Sequence, residues 1–448
     1  MTSPAVRAWL GLPFAALAHP FAAPERIAPP IAPLPGGSFG PAPAQRPVEG
    51  FDLTSGQSTT DCLTVNVWAP KDAANAPVAV WLFGGGFEMG TASTPWFDGA
   101  ALAAASDSVV VTVNYRVGAF GFGHFHRPGG PLADAHDLGL RDVIAALHWV
   151  DAAAETFGGD PARVTLIGQS AGAFLAAAAA VAPDVPRPRA LACFSGGASR
   201  IVAEPDATDF ADAILAELGI LGEPQRLLDL DPDRILAAQA AVAPRDLAVR
   251  NGHRPVGFGV AVDAAAGSPV VPRHPLDAIA AGALVDTFVL VAAGTDEMAG
   301  FGAGVVPALS GSLGDALERL AGTSPAAVSD AYAGEDADCE WIRLLGDYIY
   351  RLPAARLAAA QAAAGGGASY LEVGRTGDEP GGHGAELPGI FARGGDERTH
   401  AVTDAVVALI RDGRVGGDLA APLSAGEIPA ESIAPADLLR VWEGVARP

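Results

Sequence analysis

The five residues Gly168-Gln169-Ser170-Ala171-Gly172 constrain this chain more than any other stretch. They close a strand-like run, residues 163–167, and open an alanine-rich helical run from Ala173 onward. A backbone that passes from strand to helix in so few residues needs glycine on either side of the serine, because side chains there would collide across the turn. The strain lifts the serine hydroxyl clear of the backbone at the positive end of a helix. A lone G-x-S-x-G recurs by chance in a chain with 55 glycines. The flanking strand and helix turn it into a nucleophile elbow.

Strand-like runs recur at residues 63–68, 78–83, 109–115, 164–167, 287–291 and 369–373, with helical patterns between them. One pattern starts near Asp137, an N-cap residue type. It carries Leu140, Val143, Ile144, Leu147 and Val150 on one face and stops at Gly158-Gly159. Another covers residues 397–411 with Val402, Val406, Leu409 and Ile410 inward. Strands separated by helices predict an α/β fold, a mainly parallel central sheet covered on both faces. At 448 residues the chain fits one large domain of this kind, residues 1–448. Residues 205–250 are helical and alanine-rich, which predicts a helical cap inserted at about 200–280. The first fifty residues are proline-rich and are expected to wrap the surface.

Charge and cysteine usage remove whole classes of function. The net charge of −23 leaves no basic surface for phosphates, which argues against a nucleic-acid partner. No apolar stretch is long enough to span a membrane. Arg7 and the apolar residues 8–18 have some features of a signal peptide, but Pro13 interrupts them, and a mature N-terminal segment is the expectation. Cys62, Cys193 and Cys339 allow at most one bridge, and with no signal peptide they predict a cytoplasmic location.

A serine nucleophile needs a base, an acid that orients the base, and donors for the oxyanion. In chains built on this elbow, acid and histidine follow the serine. Phe83-Gly84-Gly85-Gly86-Phe87 follows a strand, and bare glycines leave N–H groups able to face a developing negative charge. The N–H of Ala171 would complete that set. Of the nine histidines, His383 stands out, in the loop Gly381-Gly382-His383-Gly384-Ala385-Glu386 after the run 369–373. His253, His274 and His400 also follow Ser170. The acid is expected after the run 287–291, at Asp296 or Glu297, and spacing does not choose between them. His124 and His126 lack an evident third metal ligand and are read as surface or packing residues.

Taken together, these residues resemble the type-B carboxylesterase family, which includes para-nitrobenzyl esterases and cholinesterases. The likeness runs through Trp9-Leu10-Gly11-Leu12-Pro13-Phe14-Ala15, Asp61-Cys62-Leu63-Thr64-Val65-Asn66-Val67-Trp68, Gly84-Gly85-Gly86-Phe87 and Asn114-Tyr115-Arg116-Val117-Gly118. It continues through Phe157-Gly158-Gly159-Asp160-Pro161, the elbow, Ser195-Gly196, Asp296-Glu297-Met298 and His383-Gly384-Ala385-Glu386-Leu387. The resemblance implies an α/β-hydrolase fold. It implies a triad of Ser170, Glu297 and His383, with oxyanion donors at Gly85, Gly86 and Ala171. The implied activity is hydrolysis of small-molecule carboxylic esters through an acyl-enzyme, with no metal or organic cofactor. An amidase or carbamate hydrolase, a lipase, and a non-catalytic binding protein are the rival readings on the same fold.

Four departures from the family pattern stand out. Gln169 replaces the usual Glu before the nucleophile, and Phe83 replaces a frequent His, which is expected to make the pocket rim more apolar; Phe83, Phe87 and Gln169 are the expected substrate-pocket residues. The partner of the Cys62 position is missing from residues 39–45, so Cys62 is expected as a free thiol. The turn between Gly294 and Glu297 is shorter than usual.

Overall fold

The computed structural model describes residues 6–48, 53–127, 129–247, 257–262, 270–309, 311–334 and 336–446. Nine strands form one twisted sheet: β1 (Val6–Pro13), β2 (Thr64–Pro70), β3 (Ala76–Leu82), β4 (Val109–Val113), β5 (Gly159–Gln169), β6 (Ala190–Phe194), β7 (Phe288–Gly294), β8 (Ala368–Val373) and β9 (Leu423–Ala425). Their spatial order is β1-β2-β4-β3-β5-β6-β7-β8-β9. The β1–β2 and β2–β4 pairs are antiparallel, and every pair from β4–β3 onward is parallel.

The inner strands are short runs of valine, leucine, isoleucine and alanine, buried on both faces. Such runs suit a parallel sheet that has helices on each side. On one face pack α1 (Leu138–Ala153) and α2 (Ala171–Val181). On the other lies α7 (Glu397–Asp412), against β3, β5 and the short helix Ala100–Ser106. Val402, Val406, Leu409 and Ile410 of α7 are fully buried, as their spacing predicts. Each such side chain contributes about 1.5–3 kcal/mol. Between the two groups in sequence come α3 (Glu204–Glu217), α4 (Pro232–Val242), α5 (Ala337–Gly346) and α6 (Leu352–Ala363).

Some sequence expectations fail locally. Asp137 stands at the start of α1 but makes no side-chain cap; it adopts φ +47°, and its Oδ1 accepts from Ala261 N at 2.8 Å instead. A contact 124 residues away in sequence has overridden local capping. The helix ends at Ala153, and a 3-10 turn carries the chain to Gly158. The N-terminal segment does more than wrap the surface. Residues Val6–Pro13 form an edge strand, Phe14 and Phe21 are fully buried, and Pro20 O and Ala22 O accept from Arg116 Nη1 at 2.8 Å each. Strands β6 and β9 have no counterpart among the strand-like runs expected from the sequence. Residues 248–256 and 263–269 of the expected cap, His253 among them, lie outside the described residues.

Candidate active site

Ser170 joins β5 to α2 with φ +54° and ψ −124°, backbone angles that cost of order 1–3 kcal/mol for a residue with a side chain. Packing holds it there. A Cβ on Gly168 would stand 2.1 Å from Gly172 O, and one on Gly172 would stand 2.2 Å from Leu82 O. Both glycines are therefore obligatory. Ser170 N donates to Phe194 O at 2.9 Å, which fastens the turn to β6. Serine at a helix N-cap commonly spends its hydroxyl on a backbone N–H. Ser170 makes no such bond, so its Oγ is left for other work.

The glycine loop after β3 passes directly over this serine. A Cβ on Gly84 would lie 2.9 Å from Ser170 Cβ and 2.5 Å from Gln169 Oε1. Gly85 and Gly86 take φ +131° and +64°, conformations that glycine adopts without a side-chain penalty. Among the described residues, no acceptor receives the N–H groups of Gly85, Gly86 or Ala171. Three donors without partners beside one hydroxyl form a site for negative charge. The loop is pinned at both ends. Tyr115 Oη donates to Phe83 O, Gly118 N donates to Phe87 O at 2.6 Å, and the Gln45 amide bonds both Gly90 N and Gly90 O at 2.8 Å.

The parallel sheet brings His383 and Glu297 together at the same end. Glu297 follows β7 and is fully buried; its Oε2 lies 2.6 Å from His383 Nδ1, and its Oε1 accepts from Gly294 N at 2.7 Å. The short turn therefore closes on the carboxylate itself. His383 N also donates to Glu297 O at 3.1 Å. Asp296 faces away, in a two-pronged pair with Arg375 at 2.6 and 3.2 Å. Burial disfavours a charged imidazole, but the hydrogen bond and charge of Glu297, with Glu386 behind it, outweigh burial and hold His383 above its ordinary range. No hydrogen bond joins Ser170 Oγ to His383 here; His383 Nε2 is instead hydrogen-bonded by Gln169 Nε2 at 3.4 Å. Such bonds are often long in unliganded sites and tighten with substrate.

Phe83 and Phe87 do not form a rim. Phe83 is wholly buried and stacks on Tyr115 with centroids 4.1 Å apart, and Phe87 is buried between Phe122 and Phe174. Both support the glycine loop from beneath. His124 and His126 meet His136, with ring centroids 5.7 and 5.4 Å apart, and His124 is buried rather than on the surface. Among the described residues no group of three His, Cys, Asp or Glu side chains is placed to hold a metal ion.

Three side chains went unassigned in the sequence. Glu386, three residues after His383, is buried with Ser195 Oγ donating to its Oε1 at 3.0 Å. Burial, and then the Glu297 charge, push its carboxyl up to about 7. The rings of Tyr350 and Phe301 lie 4.4 and 5.5 Å from the His383 ring. Nothing in the local sequence around Tyr350 marks it, since a helix 33 residues upstream of His383 meets the site only through the fold.

A model described as the carboxylesterase family matches residues 1–321. The chain belongs to that family. This carboxylesterase-family chain is 36% identical over 245 residues to the para-nitrobenzyl esterase of Bacillus subtilis, a stretch covering 54% of the chain and 48% of that protein. It is 46% identical over 127 residues to acetylcholinesterase 4 of Caenorhabditis briggsae, covering 28% of the chain and 20% of that protein. The match thus spans about half the length of the first relative and less of the second. Coverage by structure is wider. A solved para-nitrobenzyl esterase superposes with TM-score 0.78 at 28% identity, over 94% of this chain and 90% of that one. A carboxylesterase of Geobacillus stearothermophilus, solved at pH 6.2, gives TM-score 0.76 at 27% identity, over 93% and 89%. The fold of this carboxylesterase-family member is that of the α/β-hydrolases.

Proposed function

We propose that the chain is a serine carboxylesterase acting on small-molecule carboxylic esters. The observation that carries this reading is the convergence on Ser170 of three partnerless N–H groups and the part-buried Glu297–His383 pair. Ser170 Oγ attacks the ester carbonyl while His383 Nε2 takes its proton. Glu297 holds the imidazole in the tautomer with Nδ1 protonated and stabilises the imidazolium. Gly85, Gly86 and Ala171 receive the oxyanion; each such donor is worth about 3 kcal/mol in the transition state. His383 then protonates the departing alcohol, and water, deprotonated by the same ring, releases the acid. Besides the ester and water, these steps draw only on groups of the chain itself.

Residues 200–280 act in this reading as the cap of a single catalytic domain. The Arg200 guanidinium lies 5.9 Å from the Phe87 ring, and Gln239 Oε1 accepts from Ala119 N at 2.8 Å, which ties that region to the floor of the site. A cytoplasmic location belongs to the same proposal and is supported by three free cysteines, two of them buried. No helix among the described residues is long and apolar enough to cross a membrane.

Hydrolysis of para-nitrophenyl esters from acetate to palmitate, with Ser170→Ala alongside, tests the reading. Turnover of short or medium chains that vanishes in the variant is expected. A folded parent that cleaves none of them, or a variant that still cleaves them, overturns it.

A further inference from the structure

The helix that meets His383 is interrupted at its point of contact. Between α5 and α6, residues Asp347–Arg351 form a π turn, whose hydrogen bonds span one residue more than those of an α-helix. Such turns re-aim side chains and recur at functional sites. Here the turn aims Tyr350 at His383, with centroids 4.4 Å apart and planes inclined by 36°. The tyrosine is 5% exposed, so the ring contact is shielded from water.

The turn is held open by a buried network. Arg351 Nη1 donates to Asp347 Oδ1 at 2.7 Å, and Arg351 Nη2 donates to Glu372 Oε1 at 3.0 Å and Ile433 O at 2.7 Å. Tyr332 Oη donates to Asp347 Oδ2 at 2.6 Å, and Trp442 Nε1 donates to Tyr332 Oη at 3.0 Å. Glu372 lies on β8, the strand that leads into the His383 loop. The network therefore fixes Tyr350 and the histidine loop relative to one another. At the other end, a Cβ on Gly346 would touch Glu297 Cβ at 3.4 Å, so α5 also packs on the acid.

We propose that Tyr350 is a positioning residue for His383: its ring face seats the imidazole against Glu297 and stabilises the imidazolium formed at each proton transfer. A cation within about 6 Å of an aromatic face is attracted by the ring quadrupole, most strongly where water is excluded. The charged and titratable groups acting on His383 are Glu297 from the β7 turn and Glu386 from its own loop. Neither supplies a flat surface, and Phe301 contributes a second ring at 5.5 Å. The inference rests on His383 being the base in the proposed reaction.

The test compares Tyr350→Phe, Tyr350→Leu and Tyr350→Met, with Ile349→Leu as a control in the same turn. Active sites are counted with a para-nitrophenyl phosphonate, and kcat, KM and the pH profile are measured on para-nitrophenyl acetate. Tyr350→Phe is expected to match the parent. Tyr350→Leu and Tyr350→Met are expected to lose about tenfold in kcat with KM little changed, and their acid limb in kcat/KM moves to lower pH. The His383 ring titration, followed by NMR on labelled histidine, moves down in the same two variants. That readout needs no turnover, so a parent inactive on esters would overturn the proposed function while leaving the seat tested. If Leu fails to fold, Met carries the comparison. Leu and Met variants with parental kcat and ring titration would overturn the inference, and so would a Phe variant that falls as far as Leu.

Discussion

Glu297 Oε2 and His383 Nδ1 lie 2.6 Å apart, although 86 residues of chain separate them and Asp296 stands one residue nearer the sheet. The turn that follows β7 sends the two carboxylates opposite ways: one to the imidazole, the other to Arg375. Glu297→Gln is expected to lower kcat by roughly 10³- to 10⁴-fold, since the ring loses the partner that fixes its tautomer. The acid limb of kcat/KM should also move to lower pH, because Glu297 is what raises His383. Asp296→Asn loosens a partly exposed ion pair and should cost less than about tenfold. Steady-state kinetics on both variants would show whether the acid has been assigned to the right residue.

Gln169 precedes Ser170, and its amide lies 3.4 Å from His383 Nε2. Gln169→Glu would put a carboxylate there and favour the charged imidazole. The acid limb of kcat/KM is expected to rise by about one pH unit. A pH–rate profile reads this directly.

Glu386 couples the site to stability. Its folded-state pKa lies above the ordinary carboxylate value, at about 7, chiefly through burial. A group raised in this way favours the fold most below the ordinary carboxylate range, and the contribution is lost as pH rises through 7. Relative to the parent, Glu386→Gln should therefore gain stability between pH 5 and pH 8. Urea midpoints for both proteins at the two pH values would measure the difference.

Arg116 and Asp142 form a buried two-pronged pair at 2.7 and 2.9 Å, with 1% and 0% side-chain exposure. Asp142 Oδ2 also accepts from Arg116 N at 3.0 Å. Asp142→Ala would strand a buried guanidinium and is expected to cost about 3–5 kcal/mol. Thermal or urea unfolding would register the loss.

Much of this was legible in the sequence because it is local. The elbow needs two glycines within five residues, and the apolar faces of α1 and α7 repeat with the helical period. The glycine loop is likewise contiguous. What escaped was set by long-range packing. β9 is three residues long and has no pattern of its own. Asp137 forsakes its cap for Ala261 N, and Phe83 turns under Tyr115 rather than toward the pocket. The choice between Asp296 and Glu297 depends on how the turn after β7 closes against the histidine loop, which spacing does not encode and the resemblance supplied. Tyr350 reaches the site only because a buried network widens its helix.

The central claim is that Ser170, activated by His383, attacks an acyl carbonyl. Brief reaction with a para-nitrophenyl phosphonate followed by peptide mass mapping tests it most directly. The account predicts one adduct, on the peptide containing Ser170, formed far more slowly in His383→Ala. An adduct on another residue, or one on Ser170 that forms equally fast without His383, would contradict it.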